Sequence, residues 1–591
     1  MKNILVFCKF YCAGIIALLC ICNVSTAQKS SSDIRLNQVG FYPKAQKIAV
    51  VLGETQTDFS VKDASTNKVV FKGKLSAPRT NQYSGKISRI ADFSSFQQNG
   101  KYVIEIAPLG KSSSFEIKNN IFKEVAKASL KGFYYQRASI DLPEKFAGKW
   151  ARAAGHPDNK VLIHASAVSE LRPENHIISS PKGWYDAGDY NKYVVNSGIT
   201  MGTLLSLYED YPEYFENFNT NIPESNNSIP DLLDEVIWNL RWMLTMQDPG
   251  DGGVYHKLTN PRFDGMIMPD ACKNPRYVVE KNTIATLDFV AVMAQSARIL
   301  KNFEMQLPGL SDSCITASVK GWEWAKKNPS VLYNQDEMNK KFDPDIVTGA
   351  YGDRNASDEW IWAAAEMYAM SGKMDYLKDI SFEAEKPMAL PTWSQVKTLG
   401  YYTIIRTSEA LKTDNNFTKS VQQSILSYSD NLLVDLEKQP YNTVMGKATK
   451  DYSWGSSSVA ANQGIALLYA FRISKNQKYL NAALGNLDYL LGRNATGYSF
   501  LTGFGSKQVM HPHHRPSIAD RVIEPIPGLL SGGPNPGQQD KCTTYTSKFA
   551  DESFTDNDCS YASNEIAINW NAPMVYLSAA LEALLEIKSN K

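Results

Sequence analysis

The chain has 591 residues, which is more than one ordinary domain contains. Hydrophobic residues make up 43% of it and charged residues 21%, a globular composition that excludes a disordered or fibrous protein. The 62 basic and 61 acidic residues leave a formal net charge of +1, so no strong positive field is available to attract DNA or RNA. We therefore expect no nucleic-acid partner.

The first 27 residues have the pattern of a targeting segment. Lys2 and Lys9 precede an apolar run over residues 13–24, and residues 25–27 end it with small side chains. This order is typical of a signal peptide cleaved after residue 27, and the apolar run is too short for a membrane-spanning helix. We predict export to the periplasm or the extracellular space, without a membrane span.

Four cysteines remain after such cleavage: Cys272, Cys314, Cys542 and Cys559. An exported protein can oxidise its cysteines to disulfides. Cys542 and Cys559 flank one short polar loop and are the best candidate pair, since bridging a loop of that length would stabilise the fold by about 3 kcal/mol. The sequence leaves Cys272 and Cys314 as either bridged or free.

Two regions with different hydrophobic periodicity follow. Residues 34–118 contain about seven short, β-branched or alternating segments between turn residues, which predicts an immunoglobulin-like β-sandwich. Residues 121–589 contain about a dozen helical runs joined by long loops rich in glycine and proline. A dozen helices in one unit fit an all-α barrel of the (α/α)6 type, and loops of that length are commonly functional.

Two acidic residues, Asp186 and Asp189, lie three positions apart in the segment GWYDAGDY. The small residues between them let the backbone and a ligand approach closely. Two adjacent carboxylates can hold one water molecule, and one of them can accept its proton. The same short pattern also fits an acidic turn or a calcium loop, and DxxD alone is common.

A further acidic residue, Glu565, opens a long apolar run in the segment NEIAINWNA. A glutamate at this position is often no more than a favourable charge at a helix N-terminus. The functional alternative is a general acid whose pKa is raised by an apolar wall such as Trp570.

A third segment places His513, His514 and Arg515 together after a glycine-rich loop. Clustered histidines suggest a metal, but no cysteine is near and the HxxxH spacing of a helical metal site is absent. Histidine and arginine in one loop suit hydroxyl groups and a carboxylate partner equally well.

These three segments together resemble glycoside hydrolase family 9, a family of inverting cellulases. Residues 499–515 fit the histidine-loop signature of that family at every position, and residues 554–572 fit its acid-helix signature. The resemblance covers residues 121–589, and residues 34–118 resemble the immunoglobulin-like module that precedes one subgroup of these enzymes. It implies an (α/α)6 barrel that hydrolyses β-1,4-linked glucans without an organic cofactor.

The resemblance also implies roles for single residues. Asp189 matches the catalytic base, Asp186 the residue that helps hold the attacking water, and Glu565 the general acid. Inversion requires the acid and the base to stand roughly 6.5–9.5 Å apart. The positions that match or suggest sugar-binding residues are His513, Arg515, His256, Trp393, Trp454 and Trp570. For a single tryptophan, packing in the core is the alternative.

Relatives in this subgroup carry a zinc site of two cysteines and two histidines. Here Ala138 and residues 154–155 stand where the cysteines are expected, and only His156 and His164 remain. Two histidines make a poor closed zinc site, so we expect no zinc there.

Structural calcium is the other metal that the resemblance implies. Asp353, Asp358 and Glu359, in the segment YGDRNASDEW, supply the oxygen ligands that this hard cation prefers. Acidic residues at the first turn of a helix also serve as helix caps, which is the alternative for these three.

The sequence thus predicts a secreted, monomeric, inverting endo-β-1,4-glucanase that acts on cellulose, xyloglucan or mixed-linkage glucan. One alternative is an exo-acting β-glucosidase or glucosaminidase of the same family, which requires loops that block one end of the cleft. The other alternative is a non-catalytic glycan-binding protein, which the presence of all three carboxylates disfavours.

Overall fold

The computed structural model of the protein describes residues 30–378, 388–413 and 415–589. The predicted signal peptide, residues 1–27, lies outside the described residues. Strands dominate up to residue 117, and long helices dominate from residue 123.

The N-terminal strands form a sandwich of two sheets. They are β1 (Ile34–Arg35), β2 (Gly40–Phe41), β3 (Ile48–Leu52), β4 (Asp58–Asp63), β5 (Val69–Lys74), β6 (Arg79–Thr80), β7 (Ile87–Asp92), β8 (Gly100–Ile106), β9 (Gly110–Lys111) and β10 (Phe115–Ile117). One sheet has the order β1-β3-β7-β6, and the other has the order β2-β10-β8-β4-β5 with β9 beside β8. Four of these strands have two residues each, too few for an alternating pattern, and this is why the sequence predicted fewer strands.

Aromatic side chains fill the space between the two sheets. The Phe41 ring centroid lies 5.3 Å from that of Phe93 and 5.5 Å from that of Phe115, and both pairs meet edge to face. Inward residues of the longer strands, such as Val61 and Ile104, are fully buried. This alternation of buried and exposed positions is the pattern of strands that have one face on a core.

Seventeen α-helices lie in the described part of the helical region. They are α1 (Lys123–Tyr135), α2 (Glu144–Ala147), α3 (Val194–Asp210), α4 (Pro212–Phe215), α5 (Asp231–Thr245), α6 (Thr283–Leu300), α7 (Leu310–Lys327), α8 (Gln335–Asn339), α9 (Ser357–Ser371), α10 (Asp375–Lys378), α11 (Lys397–Leu411), α12 (Asn415–Leu433), α13 (Ser456–Ser474), α14 (Gln477–Leu490), α15 (Arg515–Ala519), α16 (Tyr561–Asn564) and α17 (Ile568–Ser589).

The long helices pack in two layers. Helices α3, α6, α9 and α13 are buried around most of their circumference, whereas α1, α5 and α7 bury one face and expose the other. Every residue of α6 except Arg298 is buried. An inner ring of apolar helices inside an outer ring of amphipathic ones is the arrangement of an (α/α) barrel.

In the described part of the chain, the segment Thr283–Phe303 alone is long and apolar enough to cross a membrane by length and composition. In this structure 94% of its most apolar window is buried inside the protein. Its position in the inner layer of the barrel accounts for its apolar character.

A small sheet lies among the loops between the helices. Its strands are β11 (Val161–Ile163), β12 (Ile177–Ile178), β13 (Lys192–Tyr193), β14 (Lys257–Thr259) and β15 (Tyr277–Val278). Their order is β12-β11-β15-β14-β13, and β13 follows the acidic turn at residues 186–189 directly. The sheet is thus joined through β13 to the segment that carries the acidic turn.

Buried polar contacts join the sandwich to the barrel. Asn37 Nδ2 donates a 2.8 Å hydrogen bond to Asp488 Oδ1 on α14, and the Tyr42 hydroxyl donates a 2.6 Å bond to Glu582 Oε1 on α17. Asn37 is fully buried, and both bonds are made by groups that would be costly to leave unpaired. The sandwich therefore packs firmly against the outside of the barrel.

The structure contains a disulfide between Cys542 and Cys559, whose Cα atoms lie 5.7 Å apart. The sequence had singled out this pair. Cys272 and Cys314, which the sequence left open, are free thiols, with Cys314 buried and Cys272 partly exposed.

Candidate active site

The acidic turn is anchored to the last helix of the barrel. The backbone N–H of Asp186 donates to the Asn191 carbonyl at 3.0 Å, which closes the turn. The Asp186 carbonyl in turn accepts a 2.8 Å bond from the N–H of Ile568, the first residue of α17. Residues from opposite ends of the barrel sequence are therefore neighbours.

Glu565 lies against the same turn. It is extended (φ −70°, ψ 160°) between α16 and α17, and it pairs with His513 in a parallel β-bridge. The sequence placed Glu565 at a helix start, but α17 begins three residues later, so a helix dipole does not explain its position.

Gly188 is the point where the two segments touch. A methyl group in place of its hydrogen would lie 2.2 Å from the His513 carbonyl oxygen and 3.3 Å from Glu565 Oε1. Only glycine permits this approach. The backbone N–H of Arg515 also donates to the Gly188 carbonyl, at 3.2 Å.

Asp186 is only 1% exposed and is held by neutral hydrogen-bond donors. Asn196 Nδ2 donates to its Oδ1 at 2.5 Å, and the Tyr351 hydroxyl donates to its Oδ2 at 2.8 Å. Burial and the neighbouring charge of Asp189 raise the pKa of Asp186, and the two hydrogen bonds oppose that rise without cancelling it.

Asp189 lies beside Asp186 and is also largely buried. Its Oδ2 accepts a 2.5 Å bond from Asn191 Nδ2 and a 3.3 Å bond from the Tyr193 hydroxyl. These two donors fix the direction in which the carboxylate points.

A buried lysine, Lys257, lies near this carboxylate. Burial lowers the pKa of Lys257 to about 7, while the charge of Asp189 acts in the opposite direction. Its ammonium group donates to Gln335 Oε1 at 2.6 Å and to the Gly349 carbonyl at 2.7 Å. Lys257, Tyr193 and Tyr351 all lie within or beside the motifs seen in the sequence, but the sequence does not show that their side chains turn towards the carboxylates.

The pKa of Glu565 is raised well above its usual value, first by burial and then by the charges of Asp189 and Asp186. Arg515 opposes this rise but does not overcome it. A carboxyl group in this state keeps its proton at neutral pH, as a general acid must.

All three carboxyl groups line one cleft of about 870 Å³. Its wall also includes Trp393, Trp454, Trp570, His513 and Arg515. The structure thus brings together eight of the nine residues that the sequence proposed for catalysis and sugar binding.

The aromatic residues of the wall differ in exposure. Trp454 is 44% exposed, and its ring lies 5.3 Å from that of Tyr561 at an angle of 32°, so the two rings form a broad apolar platform. Trp393 meets Tyr351 edge to face at 5.2 Å. Trp570 is 9% exposed and serves as an apolar floor rather than a platform.

His513 and Arg515 are oriented by backbone carbonyls. His513 Nδ1 lies 2.6 Å from the Asp558 carbonyl oxygen, and burial lowers the pKa of the imidazole, which is therefore neutral at pH 7. Arg515 donates from Nη1 to the Gly188 carbonyl at 2.7 Å and from Nε to the Asp264 carbonyl at 3.0 Å. Within the described ranges, neither residue forms an ion pair with an acidic side chain, so both can serve a ligand in the cleft.

His256 lies behind the cleft and does not line it, so the structure does not bring it together with the other residues predicted to bind sugar. It is 1% exposed, and its Nε2 lies 2.7 Å from the carbonyl oxygen of Ala350. Its ring stacks on Tyr333 at 3.9 Å. The sequence could not reveal this, because the chain packs the imidazole beneath the loop that forms the wall.

The two histidines that remain from the zinc site of the relatives each form hydrogen bonds with other groups of the protein. His164 bonds to the hydroxyl of Ser166 at 2.8 Å and to the Pro344 carbonyl at 3.0 Å. His156 bonds to the Tyr185 hydroxyl at 2.9 Å. The expected absence of a zinc site formed by these two histidines stays a prediction.

The predicted calcium ligands belong to a buried acidic cluster. Glu359 and Asp358 open α9, Asp353 lies in the preceding loop, and Asp288 of α6 joins them, a residue that the sequence did not single out. Both side-chain oxygens of Glu359 and of Asp288, and one of Asp353, are buried and have no hydrogen-bond partner among the residues that the structure describes.

Burial and mutual repulsion raise the pKa values of Glu359 and Asp288 well above the usual range. No basic side chain of the described residues is among the causes of either shift. Oxygen-only donors of this kind fit calcium. The ion would be held by Asp288, Asp353, Asp358 and Glu359 and would tie α6 and α9 to the loop that carries Tyr351.

Comparisons with known proteins agree with this geometry. Residues 122–578 match the model of glycosyl hydrolase family 9, and residues 29–111 match that of the cellulase N-terminal immunoglobulin-like domain. The chain therefore belongs to glycosyl hydrolase family 9. The predicted fold class, an (α/α)6-type helical domain preceded by an immunoglobulin-like sandwich, is confirmed.

Individual relatives extend over nearly the whole chain. A xyloglucan-specific endo-β-1,4-glucanase of Bacteroides ovatus is 46% identical over 574 residues, covering 97% of each chain. Endoglucanase D of Acetivibrio thermocellus is 35% identical over 555 residues, covering 93% of this chain and 83% of its own. The structure of a Bacteroides ovatus family 9 protein superposes with a TM-score of 0.88 at 45% identity, covering 93% of this chain and 99% of its own.

A first prediction concerns Glu565. We expect Glu565→Gln to lower kcat on a polysaccharide by about 100- to 10,000-fold, because the leaving oxygen is then no longer protonated. On an aryl β-cellobioside with an acidic phenol as leaving group, which departs without a proton, the loss should be much smaller. Steady-state kinetics on both substrates measure this difference.

Asp189→Asn is the matched control, because loss of the base should slow both substrates alike. Equal loss on both substrates in Glu565→Gln would contradict the assignment of Glu565 as the acid.

A second prediction concerns the acidic cluster. We expect chelation of divalent cations to lower the melting temperature and added calcium to restore it. At a calcium concentration 100 times its dissociation constant, binding should raise the free energy of unfolding by about 2.7 kcal/mol. Glu359→Gln and Asp288→Asn should lose this response, whereas Asp312→Asn, an exposed residue of α7, should keep it. Calorimetry with and without calcium tests this, and an unchanged response in both cluster variants would exclude the site.

Proposed function

We propose that this protein hydrolyses xyloglucan-type β-1,4-glucans by internal cleavage with inversion of configuration. The convergence of Asp186, Asp189 and Glu565 in one aromatic-lined cleft carries the proposal. Family membership and the two endoglucanase relatives support an endo-β-1,4-glucanase, and the relative from Bacteroides ovatus suggests xyloglucan among the possible glucans.

In the proposed reaction, a water molecule lies between Asp186 and Asp189. Asp189 accepts one of its protons while the water oxygen forms a bond to the anomeric carbon. Glu565 donates its proton to the glycosidic oxygen as the bond between that oxygen and the anomeric carbon breaks. The water attacks from the face opposite the leaving group, and the configuration is therefore inverted.

Three neutral donors keep this arrangement in order. Asn196 and Tyr351 orient Asp186, and Asn191 orients Asp189. For Asp186, neutral donors avoid the large drop in pKa that a paired arginine would cause.

The cleft also offers groups suited to a neutral sugar chain. The platform of Trp454 and Tyr561 can stack on the apolar face of a glucose unit, and His513 and Arg515 can bond to its hydroxyls. No strong charge field is needed for such a substrate, in keeping with the near-zero net charge of the chain.

The test is a reducing-sugar assay on xyloglucan, soluble cellulose, mixed-linkage glucan and chitosan, with product sizing and NMR of the first anomer formed. We expect the highest kcat/KM on xyloglucan, a range of oligosaccharide sizes and an α-anomer first. Glu565→Gln serves as the inactive control on each polysaccharide.

Two outcomes would overturn parts of the proposal. Release of single glucose or glucosamine units alone would favour the exo-acting alternative, and a β-anomer formed first would exclude inversion. Binding without any hydrolysis would favour a glycan-binding protein.

We also infer that the protein is exported and acts as a monomer in the periplasm or outside the cell. The basic, apolar and small-residue order of residues 2–27 supports export. Mass analysis of the mature protein should give a chain that starts at Gln28, and a chain retaining residues 1–27 would contradict the inference.

A further inference from the structure

Three metal-binding side chains meet beside the cleft. A ring nitrogen of His156, a carboxylate oxygen of Asp264 and the sulfur of Cys272 all lie within 4.8 Å of one another. His156 precedes β11, whereas Asp264 and Cys272 belong to the loop between β14 and β15. The set therefore joins two loops that are distant in the sequence.

One ring nitrogen of His156 is buried and has no hydrogen-bond partner among the described residues. The residue is 6% exposed, and its Nδ1 is engaged with the Tyr185 hydroxyl at 2.9 Å. Its Nε2 is buried and has no hydrogen-bond partner in the described part of the chain. Because buried polar atoms are nearly always paired, this nitrogen points to a missing ligand.

The Asp264 carboxylate is already oriented towards such a role. Its Oδ2 accepts a 2.5 Å bond from Asn260 Nδ2, and its Oδ1 accepts a 2.8 Å bond from Asn274 Nδ2. Each oxygen keeps a lone pair for another partner. Outer contacts of this kind, like the Tyr185 contact of His156, are those that fix the orientation of metal ligands.

We propose that His156 Nε2, Asp264 and Cys272 bind one zinc ion. Nitrogen, sulfur and carboxylate oxygen are the donors that zinc prefers, and three of them leave a fourth position for water. Donors around tetrahedral zinc lie roughly 3–4 Å apart, so the metal-free side chains need to close by about 1 Å. The thiol releases its proton to solvent as the sulfur–zinc bond forms.

The charges in this region permit a divalent cation. Asp264 and the Cys272 thiolate together balance the two positive charges of zinc. Three cations lie near His156: Arg276 and Lys192 are both paired with Asp158, at 3.1 and 2.6 Å, and Arg152 donates to the Arg137 carbonyl at 2.6 Å. This donor set shares only His156 with the two-cysteine, two-histidine set implied by the family resemblance, and its thiolate comes from a different loop.

The ion would act on the cleft through the loop that it holds. Phe263 and Met266 of this loop line the cleft, and the Asp264 carbonyl accepts the bond from Arg515 Nε. Zinc would therefore fix one wall of the cleft and the orientation of Arg515. Its role would be structural, and it would take no part in the reaction.

Cobalt(II) provides a direct test, because its bond to a thiolate produces a near-ultraviolet charge-transfer band. The full-length protein is stripped of metal, supplied with excess calcium to fill the acidic cluster, and titrated with cobalt(II). We expect one cobalt per chain with a thiolate band that zinc removes by competition.

Variants assign the ligands. Cys272→Ser should lose the band and bind cobalt about 100-fold more weakly, and Asp264→Asn and His156→Gln should weaken binding while circular dichroism shows an unchanged fold. Cys314→Ser is the matched control, since Cys314 is the other free thiol and lies in α7.

The proposal is overturned if the wild-type protein shows no thiolate band, or if the band survives in Cys272→Ser. It is also overturned if the band is lost in Cys314→Ser. Metal binding is measured without substrate, so its result is independent of whether the proposed glucanase activity holds.

Discussion

The chemistry of this protein depends on crowding three carboxyl groups into one cleft, where Asp186 and Asp189 are buried and Glu565 is partly exposed. Asp186, Asp189 and Glu565 repel one another when ionised, and burial strengthens that repulsion. They cannot all carry charge at once. Burial first, and then the charges of Asp189 and Asp186, raise the pKa of Glu565, and hydrolysis by inversion requires such a protonated acid apart from an ionised base.

The fold brings the three carboxyl groups together because two segments distant in the sequence pack closely at a single glycine, Gly188. The missing side chain of Gly188 lets the acidic turn lie against the His513 carbonyl and Glu565, and the bond between Ile568 and Asp186 anchors the turn to α17. Main-chain hydrogen bonds from Arg515 to Gly188 and from Ile568 to Asp186 therefore hold the acidic turn against the segments that carry His513 and Glu565.

Two further groups of side chains that could bind metal lie just outside this centre, and each is linked to it through a residue of the cleft wall. The acidic cluster around Asp288 and Glu359 adjoins the loop of Tyr351, whose hydroxyl bonds to Asp186. The group formed by His156, Asp264 and Cys272 reaches Arg515 through the Asp264 carbonyl. Cation binding at either place would act on catalysis indirectly, by fixing the residues that hold or face the substrate.

The sequence by itself determined the two-region architecture, the family and the identity of the acidic residues. Hydrophobic periodicity reports local structure, and the signature spacings around Asp189, His513 and Glu565 are read without coordinates. Only the tertiary structure decided which side chains meet. It buried His256 behind the cleft, brought Lys257, Tyr193 and Tyr351 to the carboxylates, and added Asp288 to the acidic cluster. These contacts join residues far apart in the chain, and their pKa shifts arise from burial and from charges on other segments, which a linear pattern does not contain.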